Sequence, residues 1–260
     1  MDWSRAKNIV IGMLILVNLF LLGTLGYLKY TEEANFRESV EGTVRVLEAR
    51  GIAIDESMIT KIKDDRRMCV IVRSRDSEAA VAAAFLGATE VSGSGGNDRY
   101  RSESGTLSWL SGGMFDAAFR ADAVSLGELL AASGLPLTQT AAISDGGGTI
   151  YQRIDDLPVF NCALNYAFDG TGGCTLSGRV CLGGPQPVDD TEPMGLCGVL
   201  IEYASIVSGL AIEHIDTIDS GWVAQALPGI GVRLVPVWRV VGSGVATYVN
   251  ALDGSAVLAE

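Results

Sequence analysis

The hydrophobic pattern opens with an unbroken apolar run. Residues 9–28, IVIGMLILVNLFLLGTLGYL, carry no charge, and only Asn18 and Thr24 are clearly polar. As a helix rising 1.5 Å per residue, the run spans about 30 Å, the thickness of a bilayer's hydrocarbon core. It is longer than the apolar region of a usual secretory signal, and no small-x-small cleavage pattern follows it. The pattern predicts an uncleaved transmembrane helix at 9–28. Arg5 and Lys7 precede the run, while Lys29 is soon followed by Glu32 and Glu33. The positive-inside rule therefore predicts a short cytoplasmic N-terminus at 1–8 and an extracytoplasmic bulk, a single-pass cell-membrane protein. Trp3, Tyr27 and Tyr30 bracket the run as interfacial aromatics do.

Beyond the run the periods change. Phe36, Val40, Val44 and Leu47 recur at helical spacing, and Gly51 supplies a C-terminal cap. MCVIV at 68–72 reads as a short buried strand and residues 77–86 as an Ala-rich helix. Strand-like pieces follow around Tyr100, 107–110 and 114–119, and a helix at 124–133 ends at Gly134-Leu135-Pro136. Gly146-Gly147-Gly148 is the expected boundary between two halves. After it, residues 157–168 alternate, Asp169-Gly170 opens a turn and 174–182 returns, which predicts a hairpin. A Pro/Asp-rich loop at 183–193 precedes a helix at 196–210. Strands at 212–223 and 232–241 lead to a meander around Asp253-Gly254. The expected class is α+β: two small subdomains, 31–145 and 146–260, each with an antiparallel sheet and packed helices.

Within the apolar run, three residues are candidate partner contacts. Asn18 lies near mid-bilayer, where its amide seeks a hydrogen bond. Gly12 and Gly23 are close to three turns apart and share a face on which a second helix can approach closely. A structural reading, in which Asn18 is tolerated or meets a copy of itself, stays open.

The 260 residues carry a net charge of −12. Residues 1–30 hold Arg5, Lys7 and Lys29 against Asp2, so the remainder carries −14. A body that acidic repels phosphate backbones, which excludes nucleic acid as an expected partner. The only histidine, His214, sits in an alternating segment without an adjacent nucleophile, and no G-x-S-x-G occurs. The GSGG at 93–96 lacks the Lys-Ser/Thr of a phosphate loop and reads as a turn. Asp155-Asp156 and Asp189-Asp190 are candidate Ca²⁺ ligands, but nothing has the spacing of an acidic metal loop, and such pairs are ordinary in an acidic chain. Catalytic residues, metal ligands and cofactors are therefore not expected. Five cysteines show no C-x-x-C; the hairpin places Cys162 nearly opposite Cys181, which leaves a cross-strand disulfide open.

Both ends carry a resemblance. Met1-Asp2-Trp3-Ser4-Arg5-Ala6-Lys7, with Asn18-Leu19-Phe20-Leu21-Leu22 inside the span, is similar to the start of the YycI family of Gram-positive membrane proteins. Tyr151-Gln152, Leu157-Pro158-Val159-Phe160, Gly221-Trp222-Val223, Leu234-Val235-Pro236-Val237-Trp238-Arg239-Val240 and Tyr248-Val249-Asn250-Ala251-Leu252-Asp253-Gly254 extend it. Residues 33–145 match only in layout and are richer in Ala and Gly. The resemblance implies a regulatory protein that, with a similar YycH-like protein, associates with the membrane sensor histidine kinase of the YycF/YycG (WalR/WalK) two-component system, which governs cell-wall metabolism. It implies no active site. Two other classes remain open: a sensor for cell-wall fragments or cations, framed by the 183–193 loop, and a wall-associated enzyme or protease inhibitor.

Overall fold

The computed structural model describes residues 3–62, 64–94, 96–137, 143–188, 190–227 and 231–259. The first element is a single helix, α1 (Trp3–Ala49), 47 residues long. No proline interrupts it, so the apolar run and the amphipathic segment behind it form one rod. Its Val10–Ala49 portion is long and apolar enough to cross a membrane, and every residue from Val10 to Tyr30 is exposed. The rod ends in a Schellman motif. Gly51, at φ +78°, donates its N–H to the Glu48 carbonyl, and Ile52 donates to Leu47. The side chains of Leu47 and Ile52 are buried in the same cluster, the apolar contact that accompanies this cap.

The remaining elements follow in chain order. β1 (Cys69–Val72) and α2 (Arg75–Leu86) lead to β2 (Glu90–Ser94), β3 (Asn97–Ser102), β4 (Gly105–Trp109), β5 (Met114–Arg120) and α3 (Ala123–Ser133). Then come β6 (Gly148–Ile154), β7 (Leu157–Phe168), β8 (Gly173–Arg179), β9 (Gln186–Pro187) and α4 (Leu196–Ile206). β10 (Ile215–Leu227), β11 (Gly231–Gly242), β12 (Val245–Asn250) and β13 (Ala256–Val257) complete the chain. The fold is α+β: among the described residues, four α-helices pack on one large mixed sheet.

Strand pairing divides that sheet into two antiparallel ladders. One runs β2-β3-β4-β5-β8-β7-β6, and α2 and α3 cover it through a core that includes Phe85, Trp109, Phe115, Leu126 and Leu176. The other is built on β11, paired with β10 along one edge. On its opposite edge β11 meets β1 from Gly231 to Leu234 and β12 from Val237 to Gly242. Against this ladder pack α4 and the last turns of α1, with Val40, Val44, Leu47, Leu200 and Tyr203 in one cluster. A parallel bridge, Trp222 to Val159, joins the ladders. Beside it the Asn161 side-chain amide accepts from Ala224 N and donates to Ala224 O, both at 2.8 Å, as a strand backbone would.

Hydrogen bonding crosses the boundary expected at Gly146-Gly147-Gly148. β6, β7 and β8 continue the ladder of β2–β5, and β1 belongs with the C-terminal strands. Gly147 and Gly148 are there for close approach. A Cβ on Gly147 would lie 2.7 Å from the Tyr166 carbonyl, and one on Gly148 would lie 2.8 Å from the Tyr166 hydroxyl. Asp155-Asp156 likewise have a backbone role. Both take positive φ, 50° and 60°, as the central pair of the β6–β7 hairpin, the conformation that two-residue turns demand.

Pro236 would ordinarily mark an edge strand or bulge. β11 is central instead, and Pro236 falls in the gap between its partners β1 and β12, where no ladder N–H is required. The two tryptophans of β10 and β11 divide between clusters. Trp238 lies with α4, while Trp222 packs with Cys69, Ile71, Val159 and Leu234 in the adjoining cluster. Between them is Arg66, whose guanidinium carbon sits 5.9 Å from the Trp222 ring centre and 5.5 Å from that of Trp238.

Candidate functional site

Of the three predicted contact residues, two share a face of α1 and the third does not. At about 100° per residue, Gly12 and Gly23 are roughly 20° apart, whereas Asn18 is turned about 120–140° away. Space beside both glycines is open, since a Cβ on either would meet nothing within 4 Å. Asn18 is partly satisfied by its own helix: its Nδ2 donates to the Leu14 carbonyl at 2.9 Å. Thr24 does the same to Phe20. Back-bonding of this kind lowers the cost of a polar side chain in hydrocarbon.

A cavity of about 1310 Å³ lies between the ladders. Its walls are Leu130 of α3, Leu135, Ile143, β6 and β7 (Ile150, Phe160) and β10–β11 with Trp238. The lining is chiefly apolar, the composition usual for a small-molecule site, although the volume exceeds the common 300–1,000 Å³ range. Its Arg239 is already engaged. The guanidinium donates to Asp219 at 2.6 and 3.1 Å and lies 4.9 Å from the Phe160 ring centre. Arg153 donates to the Asp156 carbonyl. Among the described residues, none of the 183–193 loop lines this cavity. That loop adds β9 beside β1, and Asp190 pairs with Arg67. Asp189 lies outside the described residues.

The other candidate groups have structural partners. His214 Nε2 lies 2.9 Å from Asp216 Oδ1 on an exposed edge. The glycine-rich turn joins β2 to β3, and its Gly96 carbonyl accepts from Arg73. Arg73 also donates to Glu78 at 2.5 and 2.8 Å and to Asp98 at 3.1 Å, tying the start of α2 to β3. Among the described residues no group of three His, Cys, Asp or Glu is placed to hold a metal ion.

Cys162 and Cys181 meet as the hairpin register predicted. They are free thiols with sulfurs 3.6 Å apart, both buried. Gln152, fully buried, pins the second cysteine: Nε2 donates to Cys181 O at 2.8 Å, and Oε1 accepts from Cys181 N at 2.9 Å. The hydrogen bond with Cys181 and then burial push the Cys162 thiol far above the usual thiol range. Burial raises Cys69 and Cys174 as well. A raised pKa keeps the proton on sulfur, and only the thiolate attacks an alkylating agent. In native protein at pH 8, iodoacetamide is therefore expected to spare these three; burial shields Cys181 from the reagent as well, and half-buried Cys197 is expected to be labelled. Peptide mass spectrometry before and after denaturation checks it; native labelling of Cys162 at the rate of Cys197 would contradict the packing.

No family model and no curated protein sequence matches the chain. Among solved structures, the chain is similar to an uncharacterized protein from Eubacterium rectale ATCC 33656, at TM-score 0.41 and 10% identity, over 75% of this chain and 86% of that one. It is also similar to the C-terminal domain of Bacillus megaterium YpeB, at TM-score 0.34 and 12% identity, over 73% of this chain and 97% of that one.

Proposed function

We propose that the chain is a membrane-anchored regulatory protein, without catalytic activity of its own, that acts on another membrane protein. The partner class is the sensor histidine kinase of a cell-wall-controlling two-component system, together with a YycH-like protein. The observation that carries this reading is the continuity of α1. One helix runs from Trp3 through the apolar span and ends in the core beside α4, through Val40, Val44 and Leu47. A tilt or rotation imposed on such a rod in the bilayer reaches the sheets directly, and the reverse holds as well. The partner's identity rests on the YycI-like ends of the chain; the helix alone supports only the class.

In this reading α1 is an uncleaved anchor with residues 31–260 outside the cell. Protease added to intact protoplasts is expected to degrade the large domain and leave a short membrane fragment. Full protection, or a mature chain lacking residues 1–27, would overturn the topology. Within the bilayer, the Gly12/Gly23 face and the Asn18 face point in different directions and suit two neighbours better than one. Asn18→Leu is expected to weaken co-purification of the kinase roughly three- to thirtyfold, the equivalent of about 0.6–2 kcal/mol, without impairing insertion. Gly12→Leu or Gly23→Leu is expected to act through the other face, on a different neighbour. Loss of the same partner to the same extent in all three variants would contradict two separate faces.

A second reading, an extracytoplasmic sensor, is favoured by the cavity between the ladders. It is compatible with the first, because the cavity's floor and the helix core share Trp238 and Leu196.

A further inference from the structure

We infer that the cavity between the ladders takes the hydrocarbon chain of a lipid from the outer leaflet of the membrane. The inference rests on the reading of α1 as a transmembrane anchor and names a ligand class for the sensor cavity. Its first support is position. After the cap at Gly51 the chain turns back along α1, and Lys61 Nζ reaches Glu32 Oε1 at 2.8 Å and Glu33 Oε2 at 4.0 Å. Glu32 stands four residues beyond Leu28, a rise of about 6 Å above the end of the apolar run. Thr60 and Ile62, on either side of Lys61, both line the cavity. The mouth therefore opens at the level where an anchored α1 leaves the bilayer.

The second support is the rim itself. Ile62, Val124 and Tyr151 all line the cavity, yet they are 52%, 72% and 56% exposed. Apolar side chains left in water around an apolar hollow mark an interaction surface. Beside a membrane, the surface they fit is the interfacial layer, where tyrosine in particular is favoured. The third support is the chemistry of the interior. Arg239 and Arg153 are held by protein groups, and Asp219 is taken up by Arg239. Although Asp145, Thr149 and Ser220 also reach the lining, most of it is apolar, with leucine, isoleucine, phenylalanine and tryptophan. A glycan or a cation needs many polar contacts, whereas a hydrocarbon chain needs none.

The experiment uses the full chain in vesicles that contain a phospholipid with a diazirine on its acyl chain. After irradiation, cross-linked peptides are mapped by mass spectrometry. Labelling is expected on the α1 span and also on α3, β6 and β7. Ala131→Trp fills the cavity from an exposed position of α3, and Ile150→Asp places a charge inside it. Each is expected to reduce labelling of the exported peptides about tenfold, comparable to losing roughly two buried methylenes, and to leave α1 labelling unchanged. Two variants from different walls guard against a misfolded one, with melting measured for each. Labelling confined to α1 would overturn the lipid inference and spare the anchor. Exported labelling that neither folded variant reduces would also overturn it. A chain that does not associate with vesicles and shows no α1 labelling would overturn the anchor itself.

Discussion

Arg66→Ala is expected to destabilise the large domain by about 3–5 kcal/mol, the usual cost of breaking a buried ion pair from one side. The side chains of Arg66 and Asp64 are only 8% and 6% exposed. Nε and Nη2 of Arg66 donate to the two Asp64 oxygens at 2.8 and 2.5 Å. Its Nη1 donates to the carbonyls of Gly221 and Val237 at 2.5 and 3.0 Å. Those carbonyls sit on paired residues of β10 and β11, so a single guanidinium caps both strands between two tryptophan rings. Removing it strands a carboxylate and two carbonyls away from water. At about 2–4 °C per kcal/mol for a domain of this size, melting should fall by roughly 6–20 °C. Asp64→Ala added to Arg66→Ala should recover part of the loss, since the orphaned charge is gone. A midpoint within about 2 °C of the parent's for Arg66→Ala would show that the pair is solvated.

Trp238→Ala is expected to cost a similar amount, about 3–5 kcal/mol, by a different mechanism. Its ring is 2% exposed, packed among Leu196, Val199, Tyr203 and Val240, and it leaves a void that the rigid β10–β11 pair cannot close. Because Trp238 also flanks Arg66, the two substitutions should not add, and their coupling should fall in the range of about 0.5–3 kcal/mol seen for residues in contact. Denaturant melts of the single and double variants of the full chain measure this. A Trp238→Ala variant as stable as the parent would place the tryptophan outside the core.

These two residues also show what the sequence made legible. Trp238 ends the unbroken apolar run Leu234-Val235-Pro236-Val237-Trp238, so its burial was readable. Arg66 stands in KDDRR, where a charged run ordinarily lies in solvent, and only the fold reveals two carbonyls and two rings waiting for it. The same contrast recurs across the chain. The helical spacing from Phe36 to Leu47, the β7–β8 hairpin and the Cys162–Cys181 approach follow from local periodicity and register. The joining of β1 to β11, some 160 residues apart in sequence, leaves no local mark. Gly146-Gly147-Gly148 reads as a linker because loop glycines and close-packing glycines look alike until Tyr166 is placed over Gly147 and Gly148. The cavity was not legible at all. Its walls come from α3, β6, β7, β10 and β11, and each wall residue taken alone looks like ordinary core.

In the proposed function, one rod-like helix joins a membrane partner to sheets outside the cell. Its most direct test is cross-linking in intact membranes, followed by purification of the tagged full chain and mass spectrometry of what accompanies it. The account predicts a sensor histidine kinase among the cross-linked proteins, with its recovery and its output altered when residues 8–28 are replaced by an unrelated transmembrane helix. Recovery of no kinase, or identical recovery and output with the foreign helix in place, would contradict it.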